Sequence, residues 1–197
     1  MLSMKKVYLI HGWDSHPDDG IFPWLREELE KRGLTVFALR MPEPLYPKIE
    51  TWVSHLKEQI IPDENTILFG HSIGVQTVLR YIESLGVDQK IGGAVLLAGW
   101  FHVSDKAYEI DEDLKIARPW LDTPINWEKI KSHTDKFVGI FSDDDPLVLI
   151  SNAKFFEENL GAKIIIETGK RHFQGRSGIK ELPSALESIL EIADSKA

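Results

Sequence analysis

Cysteine is absent from the 197-residue chain, which excludes disulfides, thiolate zinc sites and a cysteine nucleophile. A reducing compartment is thereby permitted. Long apolar runs are missing as well: residues 94–98 and 164–166 are among the longest, far short of the roughly 20 residues that span a bilayer. Basic charge is in deficit, with 23 Lys and Arg against 31 Asp and Glu for a net charge of −8. That balance opposes broad engagement of a phosphate backbone, and no basic stripe with interleaved aromatics offsets it, so no nucleic-acid partner is expected. There is no fixed-period repeat, low-complexity tract or linker. Met4-Lys5-Lys6 leads straight into a short apolar run without a secretory pattern, so the expected setting is soluble and cytoplasmic. What is present is one domain over residues 1–197, large enough to bury roughly 70% of its unfolded surface without a staple.

Apolar segments of strand length alternate with amphipathic segments of helix length. Strands are predicted at 5–10, 34–39, 65–69, 91–98, 136–141 and 162–167. Between them, helical spacing links Trp24, Leu25 and Leu29 up to a stop at Gly33, and then Ile49, Trp52, Val53, Leu56 and Ile60. Val75, Val78, Leu79, Ile82 and Leu85 follow, with Gly86 as the expected closing residue. Two later helices carry Ala153, Phe156 and Leu160, and Leu182, Leu186, Ile189 and Leu190. This alternation predicts an α/β fold, a six-stranded parallel sheet of order 2-1-3-4-5-6 with helices on both faces. Residues 99–126 break the pattern with an acidic cluster and the aromatics Trp100, Phe101, Tyr108 and Trp120, and are read as a small cap-like insertion over the site.

The most informative stretch is Gly70-His71-Ser72-Ile73-Gly74, a Gly-x-Ser-x-Gly turn between an apolar strand and a helix. At such a corner a serine sits in a strained backbone conformation that lifts its hydroxyl above the sheet. The two glycines are required where a Cβ would collide with the neighbouring strand or the first helical turn. In a doubly wound sheet the ligand crevice opens where the winding reverses, here between strands one and three. Ser72 ends strand three, and His11-Gly12-Trp13 ends strand one beside it.

A serine hydroxyl needs a base to take its proton, and the base needs a partner that fixes its tautomer. On this topology they should follow in the order Ser, Asp, His. Asp145, at a turn stiffened by Pro146, is the candidate acid, and His172, after strand six, the candidate base. Asp143 and Asp144 read as loop solvation and helix capping. A hard-ion site from all three aspartates is the alternative, though consecutive residues rarely converge on one ion. Oxyanion donors are expected from the backbone N–H of Ile73, at the start of a helix, and from that of Trp13 in preference to Gly12. The Trp13 ring fits either the core or a pocket wall. Of the seven histidines, His16, His55, His102 and His133 lack a strand-end position and are expected to be solvated or partly packed. His11 and His71 lie at the crevice, where structural or orienting roles are favoured over a zinc site.

The Gly-His-Ser-x-Gly turn, Arg118-Pro119-Trp120, Trp127-Glu128-Lys129-Ile130-Lys131, Asp144-Asp145-Pro146 and His172-Phe173-Gln174 together resemble the small serine hydrolases related to the retinoblastoma-binding serine hydrolase, over nearly the whole chain. The resemblance implies a compact α/β-hydrolase fold with Ser72 as nucleophile, Asp145 as acid and His172 as base. One departure stands out: many hydrolases of this fold have a small residue before the histidine, where this chain has Lys170-Arg171. These cations either disfavour the imidazolium, attract an anionic acyl group, or are simply solvated.

The expected activity is that of a carboxylesterase-like serine hydrolase acting on a small-molecule ester or related acyl bond through an acyl-enzyme, without metal or cofactor. Trp100, Phe101 and Trp120 are candidates for an apolar acyl pocket or, equally, for core packing. Two rivals stand beside this: a non-catalytic binding protein on a hydrolase frame, and a metal-dependent phosphoesterase using the Asp cluster and His11. Any protein partner is unspecified.

Overall fold

A computed structural model describes residues 4–104 and 111–195. Six parallel strands, β1 (Lys6–Ile10), β2 (Thr35–Leu39), β3 (Thr66–His71), β4 (Gly93–Leu97), β5 (Phe137–Ser142) and β6 (Lys163–Glu167), form one sheet in the order β2-β1-β3-β4-β5-β6. That is the order expected from the alternation of apolar segments. The helices are α1 (Phe22–Lys31), α2 (Ile49–Gln59), α3 (Ile73–Glu83), α4 (Asp111–Asp122), α5 (Trp127–Lys131), α6 (Ser151–Leu160) and α7 (Pro183–Asp194), with a 3-10 turn at Gly175–Ser177. Among the described residues no helix is long and apolar enough to cross a membrane.

The near-continuous apolarity of the inner strands follows from their having two covered faces. Side chains alternate in direction along a strand, so β1 sends Tyr8 and Ile10 to one core and Val7 and Leu9 to the other. The first core, which includes Trp52, Val78, Leu79, Trp120 and Phe156, packs α2, α3, α4, α5 and α6 on one face. The second, with Phe22, Leu25, Leu186 and Ile189, packs α1 and α7 on the other. The central strands β3 and β4 are buried throughout, whereas the edge strands β2 and β6 are only partly covered.

Several boundaries differ from the expectation for identifiable reasons. Strand four was expected at 91–98 but is confined to Gly93–Leu97, because Ile91 donates its N–H to His133 and Ala98 turns into the left-handed region at φ 48°. Gly86 does not close α3: the helix stops at Glu83, Ser84 keeps a right-handed conformation, and the Gly86 N–H is taken by the Gln89 side chain. Residues 99–126 are more regular than their composition suggested, since they contain α4, which carries Pro119 inside it. A further helix, α5, begins where the Asn126 side chain accepts the Lys129 N–H. Tyr108 and the rest of residues 105–110 lie outside the described residues.

Helix α3 starts almost in contact with the end of β1. A Cβ on Gly74 would lie 2.6 Å from Ile10 O and 2.7 Å from His11 O, both backbone atoms that cannot rotate away. Gly161, by contrast, ends α6 at φ 66° with open space around it. Gly74→Ala is therefore expected to destabilise the protein by about 3 kcal/mol, and Gly161→Ala by about 1 kcal/mol from left-handed strain alone. Urea melts of the two variants check this ranking; equal losses would contradict it.

Candidate active site

Ser72 lies between β3 and α3 with φ 56° and ψ −120°, well outside the common regions for an L-residue. Such a conformation costs of order 1–3 kcal/mol and persists only where the surroundings over-determine it. Here the Ser72 N–H donates to Leu97 O at 2.9 Å, and Ser72 O accepts from Val75 N–H at 2.9 Å. A Cβ on Gly70 would come within 2.8 Å of the Gly74 carbonyl, so both glycines of the turn are dictated by space. The loop after β1 closes on the same point, for a Cβ on Gly12 would sit 3.4 Å from Ser72 Cβ.

Asp145 follows β5, and His172 follows β6. The His172 ring reaches Ser72 Oγ through Nε2 at 3.0 Å and Asp145 Oδ2 through Nδ1 at 2.8 Å. Both side chains are almost fully buried, with His172 5% and Asp145 3% exposed, so little solvent competes with the pair. A carboxylate can only accept, which assigns the hydrogen to Nδ1 and turns the Nε2 lone pair toward the serine hydroxyl. The other carboxylate oxygen, Oδ1, accepts from Leu147 N–H at 2.9 Å and Val148 N–H at 3.0 Å, fixing the plane of the group. Among the described residues the N–H groups of Ile73 and Trp13 have no protein acceptor. The indole of Trp13 is half-buried, packs on the first core and donates to Leu45 O at 3.0 Å.

The aromatic candidates separate. Trp120 is fully buried, stands edge-on to Trp52 and donates its indole N–H to Pro47 O, so it is a core residue rather than an open pocket wall. Trp100 is buried too, and its carbonyl accepts from the Gln76 side chain at 2.6 Å. Phe101 is only partly buried, in an aromatic group with Trp127, Phe155 and Phe156.

His11 and His71 are both buried and both committed to backbone partners. His11 donates from Nδ1 to Gly12 O at 2.8 Å and accepts at Nε2 from Met41 N–H at 3.0 Å. His71 donates from Nε2 to the carbonyl of His172 at 2.9 Å. Both ring nitrogens of His11 are thus engaged by backbone groups, which leaves its imidazole no free lone pair for a metal ion. Among the described residues no group of three or more His, Asp or Glu side chains could hold a metal ion. His133, expected to be solvated or partly packed, is instead fully packed, with its Nδ1–H on Gln89 O.

Sequence reasoning missed one set of residues here. Ser142, Asp143 and Asp144 all accept backbone N–H groups from the loop that carries His172, where solvation and capping were expected of the two aspartates. Consecutive acids at a strand end were the available signal, but nothing in their spacing said which backbone they would meet.

Burial, together with the adjacent His172, pushes the His71 imidazole down to about 3 from its ordinary 6.5, and burial lowers His11 in the same direction. A histidine whose folded value is depressed contributes stability above its unfolded value and loses it as the pH falls toward the folded one. Between pH 6.5 and pH 3 His71 should therefore cost about 1 kcal/mol of stability per pH unit of acidification. His71→Gln, which keeps a donor but does not titrate, is expected to flatten this slope relative to wild type in urea melts at stepped pH. Parallel slopes for the two proteins would contradict the assignment.

Residues 7–191 match the model of the serine hydrolase family. YdeN of Bacillus subtilis (strain 168) is 30% identical over 180 residues, covering 91% of each chain. The crystal structure of the ydeN gene product superposes with a TM-score of 0.87 at 27% identity, covering 98% of this chain and all of that one (100%). The serine hydrolase RBBP9 of Rattus norvegicus is 26% identical over 181 residues, 91% of this chain and 87% of the rat protein. Est1E from Butyrivibrio proteoclasticus, solved with ferulic acid bound, shares the fold at a TM-score of 0.74 and 14% identity, covering 98% of this chain and 91% of its own. The architecture is that of the α/β hydrolases, and the chain belongs to the serine hydrolase family.

Proposed function

We propose that the protein is a carboxylesterase-like serine hydrolase that cleaves a small carboxylic ester, or a related activated acyl bond, through an acyl-enzyme on Ser72. One observation carries this reading: the His172 imidazole bridges Ser72 Oγ and Asp145 Oδ2 at 3.0 and 2.8 Å, in a nearly water-free setting.

In the acylation step Ser72 Oγ forms a bond to the substrate carbonyl carbon while its proton passes to His172 Nε2. The carbonyl π pair moves onto oxygen, and the N–H groups of Ile73 and Trp13 receive the resulting oxyanion. Each such donor is worth roughly 3–4 kcal/mol where one has been removed from a comparable site. Collapse breaks the bond to the leaving alcohol, which takes the proton from His172. Water then repeats the sequence: its proton goes to His172, its oxygen to the acyl carbon, and Ser72 leaves with the proton restored. Asp145 keeps the ring in the Nδ1–H tautomer and stabilises the transient imidazolium.

The described part of the insertion at residues 99–126 leans on α2 and α3, where Arg80 Nη2 donates to the carbonyls of Trp120 and Thr123. Residues 101–104 turn toward the acid loop, since Ser104 donates to the carbonyls of Leu147 and Pro146 and Val103 bridges to Val148. In our reading this segment is the cap, with Phe101 as the aromatic nearest an acyl pocket. A binding protein on the same frame is the rival, but it has no need of a buried imidazole between a carboxylate and a strained serine.

A panel of p-nitrophenyl esters of rising chain length, run on wild type and Ser72→Ala, tests the proposal. Turnover that drops at least ~1000-fold in Ser72→Ala is expected, together with fluorophosphonate labelling of wild type only. Full turnover in Ser72→Ala would eliminate the mechanism, and a wild type that neither labels nor hydrolyses would favour the binding protein.

A further inference from the structure

The end of β5 and the loop after β6 are joined by four successive hydrogen bonds. Gly169 N–H donates to Asp143 Oδ1 at 3.0 Å, Lys170 N–H to Ser142 Oγ at 3.0 Å, and Arg171 N–H to Asp144 Oδ1 at 2.7 Å. The fourth is the His172 imidazole on Asp145. Ser142 in turn donates to Asp144 Oδ1 at 2.8 Å, so a single carboxylate oxygen gathers two donors. These two bonds, the hydroxyl first, hold the Asp144 carboxyl below its ordinary range.

The residues on either side of His172 explain why such a latch is needed. Arg171 has φ 50° and Phe173 φ 54°, both left-handed and both bulky L-residues that resist that region. Gly169, two residues earlier at φ 69°, adopts it freely. Relaxation of Arg171 to negative φ would swing the imidazole away from Asp145 and Ser72, which it meets at 2.8 and 3.0 Å. The carbonyl side of His172 is held by the His71 Nε2–H; the N-terminal side is held by the Arg171 N–H on Asp144.

We infer that Asp144, supported by Ser142, is a positioning residue for the reaction: its carboxylate oxygen locks the left-handed peptide at Arg171 and so aims His172 at Ser72. The basic pair before His172 then acts through its backbone rather than its charge, the Arg171 side chain being exposed. This inference rests on His172 serving as the base. Misplacement of a catalytic group by about 1 Å can cost on the order of 100-fold, so a partial release costs less.

Asp144→Ala and Asp144→Asn are to be compared with wild type for kcat and KM on the best p-nitrophenyl ester. The amide oxygen of Asn accepts the same two donors without the charge. Asp144→Ala is expected to lower kcat roughly ten-fold with KM within about two-fold, while Asp144→Asn stays within about two-fold of wild type on both. Wild-type kcat in Asp144→Ala overturns the inference. So does an equal loss in Asn and Ala. A readout independent of turnover is the downfield proton resonance of His172 Nδ1–H, expected to be sharp in wild type and Asp144→Asn and broadened by exchange in Asp144→Ala. An unbroadened resonance there also overturns it. A wild type without Ser72-dependent turnover refutes the hydrolase reading instead, and the resonance still reports on the latch.

Discussion

Everything at this site depends on one imidazole held at both nitrogens. His172 meets Asp145 at 2.8 Å and Ser72 at 3.0 Å, although 27 and 100 residues of chain separate it from them. No local structure brings such distant side chains together. A parallel sheet does, because every strand ends on the same edge and the loops after β3, β5 and β6 then open side by side. The cores on the two faces fix how far apart those strand ends lie, and thereby the geometry of three side chains that belong to neither core.

Strain is concentrated at that edge. Ser72, Ala98, Arg171 and Phe173 are non-glycine residues at positive φ, all at or beside the strand ends that form the site. Each is opposed by specific bonds: Leu97 O receives the Ser72 N–H, Ile140 O the Ala98 N–H, Asp144 the Arg171 N–H and Lys170 O the Phe173 N–H. Left-handed residues without such restraint relax, so the hydrogen bonds around the site maintain its shape as much as they lower its energy. The two buried neutral histidines contribute in the same way. His71 and His11 each offer a directional donor to a carbonyl where a permanent charge would be too costly to bury.

The parts of this arrangement that the sequence made legible are those controlled by period, spacing and chain order. Strand-length apolar runs gave the sheet, Gly70 and Gly74 marked a turn with no room for a Cβ, and the order Ser72, Asp145, His172 fitted loops on a common edge. The rest depended on partners far away in sequence. Gly86 looked like a helix stop, but the chain turned through the Gln89 side chain instead. Trp120 was equally suited to a pocket or a core until α4 was seen to place it against Trp52. The acidic run at 143–145 carried no sign that two of its members would accept N–H groups from the histidine loop. Hydrogen bonds to backbone leave no compositional trace, because any residue can supply the N–H.

The central claim is a covalent one, that an acyl group resides on Ser72 between two proton transfers through His172. Rapid mixing with an excess of p-nitrophenyl acetate, an acid quench on the millisecond scale, and intact and peptide mass spectrometry test it directly. The account predicts one acetyl group per chain, located on the peptide that contains Ser72. Turnover with no adduct, or with the acetyl group on another residue, would contradict it.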